Sequence, residues 1–539
     1  MIIVSCEDEN SDIDINNVDN NDDGKNKKYS LNIVASPQDG GIITPQSGTF
    51  NSGENVGITA KPNEGYSFDG WTGDASGTNL SIQIIMDGDK NITGNFSKKD
   101  TDSDGVPDNI DKCPDTKLGE TVGPNGCVNL EIIWEKSYTS MEQQGSESIK
   151  EIVSNIDGTF LLGGDLSYGY TSGNTNSLVQ NLFFTKIDFD GNELWSNSWN
   201  YGSPSYYGNN VQLQSLRKTS NNNYLISTYV QSNSGKGITL RIDQNGDKIC
   251  YDQSGWDQRA FIFDAVEIDN KTISLGVSRK GSGKDIATVY YGHAVSSQSC
   301  NLIRDVDVES NLIRDNGFHD AVELDNGDLA ILGTTMNVSD NISKLWLLRF
   351  IPGKLPMSYL DPKDQWINWE KSYNPPVSLA FAQSIYKNKL IKTKDNSLLL
   401  LGKAYNASAD EGSYVIKVSS ENGQVIWEKS IFTNSSRLND MAETENGDII
   451  LVGENYSKEI DNNNNEVTIN KGGFVMKIDS NGNILWEENI RNTNLNSVSC
   501  DTGACEATIL KTIKYIGNNQ FLLGGKSKGN SWLLKTNFN

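Results

Sequence analysis

Between Ile132 and the C-terminus one pattern recurs seven times, and it constrains the fold more than any other feature of the chain. It is clearest as Phe184-Thr185-Lys186-Ile187-Asp188-Phe189-Asp190-Gly191-Asn192-Glu193-Leu194-Trp195 and again as Val475-Met476-Lys477-Ile478-Asp479-Ser480-Asn481-Gly482-Asn483-Ile484-Leu485-Trp486. Weaker copies are Leu240-Arg241-Ile242-Asp243-Gln244-Asn245-Gly246, and Val415-Ile416-Lys417-Val418 leading to Asn422-Gly423 and Trp427. Each copy reads as an alternating strand, an Asp-Gly or Asn-Gly turn, and a second strand ending on an aromatic. Such dipeptides suit the type I′ turn, whose two central residues need positive φ. A strand–turn–strand unit repeated at roughly 45–55 residues cannot bury its apolar face alone, so a propeller or array is expected.

The units run approximately 147–199, 211–254, 261–307, 317–373, 381–431, 438–490 and 506–537. Most carry a second landmark, a polar turn and an apolar strand ending in glycine. Examples are Asn326-Gly327-Asp328-Leu329-Ala330-Ile331-Leu332-Gly333 and Asn446-Gly447-Asp448-Ile449-Ile450-Leu451-Val452-Gly453. The last unit stops at Ser531-Trp532-Leu533-Leu534-Lys535-Thr536 without a following Trp-Glu-Lys strand. An orphan copy, Ile133-Trp134-Glu135-Lys136-Ser137-Tyr138, precedes the first unit and matches Trp369-Glu370-Lys371-Ser372-Tyr373. Pairing it into the last unit removes two exposed strand edges, which predicts an all-β, seven-bladed propeller closed by an N-terminal strand over 129–539. The units resemble propeller-type repeats of secreted Bacteroidota proteins and lack the Gly-His and Trp-Asp landmarks of WD40 blades.

At 539 residues several modules are expected. The 46 basic and 70 acidic residues give a net charge of −24, which argues against nucleic acid or an anionic membrane surface as partner. Only His293 and His319 are present, in different units, so histidine zinc sites and Ser-His-Asp triads lack material.

Residues 29–97 alternate in short runs (Leu31, Ile33, Ala35; Val56, Ile58, Ala60; Ile82, Ile84, Met86) between glycine-bearing turns, and read as a small β module. The stretch Pro62-Asn63-Glu64-Gly65-Tyr66-Ser67-Phe68-Asp69-Gly70-Trp71, with Met86-Asp87-Gly88-Asp89-Lys90 and Asn95-Phe96, resembles the divergent internalin B-repeat family of bacterial surface proteins. That resemblance implies a spacer or adhesive module without catalysis. Phe68 and Trp71, the alternative being a ligand platform, read as core residues.

Residues 98–128 carry the strongest chemical signal. Counted from Asp100, acids stand at positions 1, 3, 5, 9 and 12 (Asp100, Asp102, Asp104, Asp108, Asp111), Gly105 at 6 and Val106 at 7. This is the ligand schedule of a calcium loop, in which hard oxygen donors, including the Val106 carbonyl, surround a tight turn. Five carboxylates within twelve residues repel one another without a cation, and magnesium's octahedral demand fits less well. With Cys113-Pro114-Asp115 through Gly123-Pro124-Asn125-Gly126-Cys127, the segment resembles a thrombospondin type 3 repeat. The resemblance implies Ca²⁺ binding and a calcium-ordered connector.

At the N-terminus, Ile3-Val4-Ser5-Cys6 looks like the end of a bacterial lipoprotein signal, with Cys6 as the lipidated residue. Glu7-Asp8-Glu9 resembles the acidic export signal of Bacteroidota surface lipoproteins, and the Asn- and Asp-rich residues up to 28 read as a tether. The remaining six cysteines suit an oxidising exterior. Cys113 with Cys127 and Cys500 with Cys505 are short-range candidates, and Cys250 with Cys300 could link adjacent units.

These readings assemble into a monomeric surface lipoprotein of the outer membrane, or a secreted one, binding Ca²⁺ and displaying a propeller for a protein or glycan ligand. Its membrane contact is made only through the lipid. An alternative is a propeller enzyme acting on polysaccharide, such as a lyase, glycosidase or quinone-dependent dehydrogenase; a third is a scaffold subunit of a surface or secretion assembly. A glycosidase needs a defined carboxylate pair. The recurrence of Asp188, Asp243 and Asp479 at one repeat position speaks for turn geometry instead.

Overall fold

The computed structural model describes residues 27–116, 122–123, 126–138, 145–172, 175–199, 210–231, 236–254, 260–268, 271–279, 285–293, 304–307, 313–337, 343–352, 366–374, 380–381, 388–405, 411–431, 437–460, 466–490, 508–527 and 529–538. Strands dominate throughout, and no α-helix occurs among them. The chain divides into two compact units, residues 1–129 and 130–539.

In the first unit, Lys28–Ser36 lies between Gly48–Asn51 and Lys90–Lys98, with Tyr66–Gly73 beyond. Asn55–Pro62 lies between Gly41–Thr44 and Ser81–Ile85 in a three-stranded sheet. The alternation read from the sequence is the burial pattern: Val56, Ile58 and Ala60 are buried while their neighbours face outward. Trp71 is buried and Phe68 partly buried. They meet edge to face at 5.0 Å, and Trp71 Nε1 donates to the Asn79 carbonyl at 2.8 Å, so both belong to the core.

In the second unit the strands group in antiparallel fours that follow the sequence units, except that Ala380–Phe381 and Lys389–Lys392 both pair with Ser397–Tyr405 in a group of five. Gly145–Ser154, Phe160–Ser172, Thr175–Ile187 and Glu193–Trp199 form the first group. A single parallel pairing, Gln180 with Asn210, joins it to the next. In the last group, Ile509–Gly517, Gln520–Ser527 and Asn530–Phe538 are completed by Leu130–Tyr138, which pairs antiparallel with Asn530–Phe538. The orphan strand therefore sits where the sequence predicts it. Buried side chains of the last and first groups share one core: Leu522 and Leu533 pack with Ile149, Ile152 and Phe183.

The turn chemistry differs from expectation. Among the described residues of the Asp188–Asn192 turn only Gly191 has positive φ (75°). Gly191 N donates to the Asp188 carbonyl at 3.1 Å, and Asp188 N to the Asn192 carbonyl at 3.0 Å. This is a three-residue hairpin, a type I turn followed by a left-handed glycine, and not type I′. A two-residue turn with both φ values positive does occur at Asn518-Asn519 (52° and 58°). The recurrent aspartate caps the longer loop. Asp188 Oδ1 accepts the N–H groups of Asp190 (3.0 Å) and Asn192 (2.8 Å), and Asp479 repeats this with Asn481 and Asn483. Hydrogen bonds from Asn192 hold the Asp188 carboxyl below its ordinary range.

The glycine has a second duty, which explains the recurrent tryptophan. A Cβ at Gly482 would lie 2.9 Å from the Trp427 ring of the preceding group, and one at Gly246 2.6 Å from Trp195. These groups thus lay their outer-strand tryptophan on the next group's turn, as Trp369 does at Gly423. Trp134 of the completing strand does the same at Gly191 of the first group, and Tyr138 Oη donates to the Gly191 carbonyl at 2.8 Å. The motif glutamates anchor inward, with Trp532 Nε1 donating to Glu135 at 2.7 Å and Trp346 Nε1 to Glu370 at 3.2 Å.

Candidate functional site

The acidic loop of the first unit brings three of its five acids together. One carboxylate oxygen from each of Asp100, Asp102 and Asp104 lies within 4.8 Å of the others. The backbone makes this possible through positive φ at Ser103 (64°) and Gly105 (95°). Asp100 accepts from Ser103 N at 2.8 Å and Gly105 N at 2.9 Å, Asp104 from Val106 N at 2.8 Å, and Asp102 from Thr116 N at 2.7 Å. The second oxygens, Asp102 Oδ1 and Asp104 Oδ2, are buried with no hydrogen-bond partner among the described residues. No ion pair to these three is formed among the described residues. Buried carboxylate oxygens in that state suit a hard cation.

Asp108 and Asp111 lie outside this cluster. Asp108 accepts from Thr101 N and Oγ1 at 2.7 and 2.8 Å and pairs with Lys99 at 3.3 Å. Asp111 accepts from Cys113 N at 2.7 Å. Val106, expected to offer its carbonyl, is buried beside the cluster. The Cys113–Cys127 disulfide is formed and closes the segment. Cys250 is disulfide-bonded, while its expected partner Cys300, and Cys6, Cys500 and Cys505, lie outside the described residues.

In the second unit the innermost strands line a cavity of about 740 Å³. Bulges in six of these strands put Glu151, Ser215, Asp264, Asp320, Asp440 and Thr512 at one register position, and Lys389 matches them in the remaining group. The carboxylates bond across to the following strand. Asp264 Oδ2 accepts Ala321 N at 3.0 Å, Asp320 Oδ2 accepts Leu390 N at 2.8 Å, and Asp440 Oδ2 accepts Ile513 N at 3.1 Å. Two cations join these carboxylates. Arg217 grips Asp264 with Nε and Nη2 (2.8 and 2.5 Å) and Asp320 with Nη2 (2.8 Å); Lys389 pairs with Glu151 at 3.1 Å and faces Asp440 at 3.6 Å. Burial pulls both cations' pKa values down, but the surrounding carboxylates more than offset it and leave both raised. These acids hold adjacent groups together. Sequence reasoning missed them, although Asp264-Ala265-Val266-Glu267, Asp320-Ala321-Val322-Glu323 and Asp440-Met441-Ala442-Glu443 form a legible recurrent signal.

His293 ends a strand, and His319 is fully buried at a bulge, where its Nδ1 accepts Asn388 N at 3.2 Å.

Residues 31–100 match the family model described as a divergent InlB B-repeat domain, in agreement with the resemblance read from the sequence. A search among curated proteins finds no match. Solved structures with a similar course of chain include a protein of unknown function from Dyadobacter fermentans (9% identity, TM-score 0.40, covering 76% of this chain and 100% of that one). Extracellular domains 1–2 of Drosophila semaphorin 1a give 9%, 0.42, 75% and 88%, and the WD40 domain of SCAP from fission yeast gives 9%, 0.34, 76% and 98%. Residues 31–100 thus match an internalin-type repeat, and the described part of the second unit is all-β.

Proposed function

We propose that this chain is a non-enzymatic, calcium-binding surface protein, lipid-tethered through Cys6, whose repeat region is a seven-bladed propeller closed by Leu130–Tyr138 and displayed to bind a protein or glycan. The observation that carries the binding reading is the state of the axial acids. Asp264, Asp320 and Asp440 each accept backbone N–H groups and face Arg217 or Lys389, and Glu151 faces Lys389. A glycosidase pair would need two carboxylates directed at substrate, and these are spent on cohesion. Closure is supported by the antiparallel pairing of the N-terminal strand and by Trp134 resting on Gly191. Calcium is supported by the unpartnered oxygens of Asp102 and Asp104, with Asp100 as third ligand; hard oxygen coordination would order the segment.

The test is to present the purified full chain to protein and glycan arrays with and without millimolar calcium, beside turnover assays on the same polysaccharides. Saturable retention without turnover is expected. Release of cleaved product, or no retention of any array member, overturns the reading.

A further inference from the structure

The innermost strands of the second unit carry a second tier beside the acids. It lies two positions further along each strand, on the same face by strand alternation. In five groups this tier is aliphatic: Val153, Val266, Val322, Ile391 and Ala442. In the other two it is Arg217 and Lys514. All seven line the cavity of about 740 Å³. An apolar wall holding a few polar groups is the make-up of a small-molecule site, for which volumes of about 300–1,000 Å³ are usual.

The two cations of this tier differ. Arg217 is engaged by Asp264, Asp320 and the Ala321 carbonyl (2.8 Å). Lys514 is half-buried and makes no hydrogen bond or ion pair among the described residues. Burial pushes its ammonium pKa down; Asp440 and Glu151 pull it back up, and Arg217 and Lys389 repel it. Those four residues belong to four other groups, so the ammonium stands in the space the groups share. Both attracting carboxylates already face Lys389, at 3.6 and 3.1 Å, and Asp440 also accepts Thr512 Oγ1 at 2.9 Å. A half-buried ammonium among aliphatic side chains, with no acceptor of its own, is what a bound anion would satisfy.

We infer that this cavity binds a monocarboxylate with an apolar body, the carboxylate paired with Lys514 and the body laid against Val153, Val266, Val322, Ile391 and Ala442. The inference adds a small-molecule site to the binding reading and does not depend on which protein or glycan the repeat region meets. Each part of the ligand follows from one feature of the cavity. The unpartnered ammonium calls for an anion, and the aliphatic tier for an apolar body. The charge is limited to one, because Asp440 and Glu151 act on the same ammonium and repel a dianion more strongly than a monoanion. A neutral apolar molecule gains only the wall, acetate only the ammonium, and sulfate meets the repulsion.

The test is calorimetry on the full chain with butyrate, hexanoate, octanoate and benzoate, beside hexanol, acetate and sulfate. Saturable binding is expected, several-fold tighter with each lengthening from butyrate to octanoate, and at least tenfold tighter for hexanoate than for hexanol, acetate or sulfate. Lys514→Met should lower hexanoate affinity tenfold or more and leave any hexanol binding unchanged. It should melt no lower than wild type, since it removes a charge that has no partner. Lys514→Arg should restore most of the affinity, and Val322→Thr, which keeps the shape of the wall but makes it polar, should weaken octanoate several-fold. Failure of the whole carboxylate series to bind overturns the inference, as does sulfate or acetate binding as tightly as hexanoate. Hexanoate affinity unmoved by Lys514→Met places the binding elsewhere and overturns it too. If the arrays retain a protein or glycan while the carboxylates fail, the inference falls and the binding reading stands.

Discussion

The molecule contains two gatherings of aspartate with opposite fates. On the innermost strands of the repeat region Asp264, Asp320 and Asp440 are almost wholly buried, yet guanidinium, ammonium and backbone N–H groups meet their oxygens. In the connector Asp100, Asp102 and Asp104 are only partly buried, and two of their oxygens meet nothing. Counting acids would rank the sites together; following each oxygen to its partner separates them. A saturated carboxylate cluster is cohesion, whereas an unsaturated one is a request for a cation.

The comparison breaks first at the proposed closure of the repeat region. Deleting residues 129–139 removes the strand that completes the last group and takes Trp134 off Gly191. The repeat region should melt at a much lower temperature, while the proposed calcium binding by the connector should be unaffected. Retention of the wild-type melting curve would refute the closure. Next in size is Arg217→Met, which leaves Asp264 buried and short of its partner, at a cost of about 3–5 kcal/mol for breaking such a pair. A urea midpoint within error of wild type would show that the axial acids contribute nothing to cohesion.

How much of this was legible in the sequence follows from the physics of each signal. Strand alternation, the recurrent glycine and the orphan Trp134-Glu135-Lys136 strand are local patterns with one spatial solution, and they gave the groups and their completion. The turn type was misread because Asp-Gly and Asn-Gly serve both two- and three-residue loops, and the cross-strand register decides between them. The axial acids stayed hidden because partners such as Arg217 and Asp320 are 103 residues apart, a distance no local pattern bridges. In the connector the spacing of Asp100, Asp102 and Asp104 around Gly105 was local, and those three converge. Asp108 and Asp111 share the spacing but turn to Thr101 and Cys113.

A smaller and more local effect is expected from reducing Cys113–Cys127. The bond spans a separation of 14 residues, for which chain entropy gives about 3 kcal/mol. Buried apolar side chains are scarce around it, with Val106 the main one. Hydrogen bonds such as Thr116 Oγ1 to the Cys113 and Gly126 carbonyls (2.9 and 2.8 Å) would be left to hold the segment. Reduction should therefore speed proteolysis within 99–128 and leave melting of the repeat region unchanged. Equal protease resistance of the reduced and oxidised forms would show that the hydrogen bonds suffice.

The smallest stability effect is expected where the comparison is sharpest. Asp102→Asn with Asp104→Asn keeps shape and hydrogen-bonding oxygens but removes two negative charges from the connector cluster. In chelator the double variant should be as stable as wild type or slightly more so, since the charges it deletes have no cationic partner among the described residues and repel one another. In millimolar calcium the order should reverse at the connector. The wild type should gain protease resistance in proportion to calcium occupancy, because a ligand that binds only the ordered form stabilises it by mass action. The variant should gain none, having lost most of the charge that a hard cation needs. The same exchange at the axis, Asp264→Asn, should be costly in either condition, because Arg217 would lose one of its two carboxylates. Calorimetry and limited proteolysis of both variants separate the cases. Connector behaviour independent of calcium would make the cluster a strained acidic turn, and stability gained on losing Asp264's charge would make the axial ring an unsatisfied site as well.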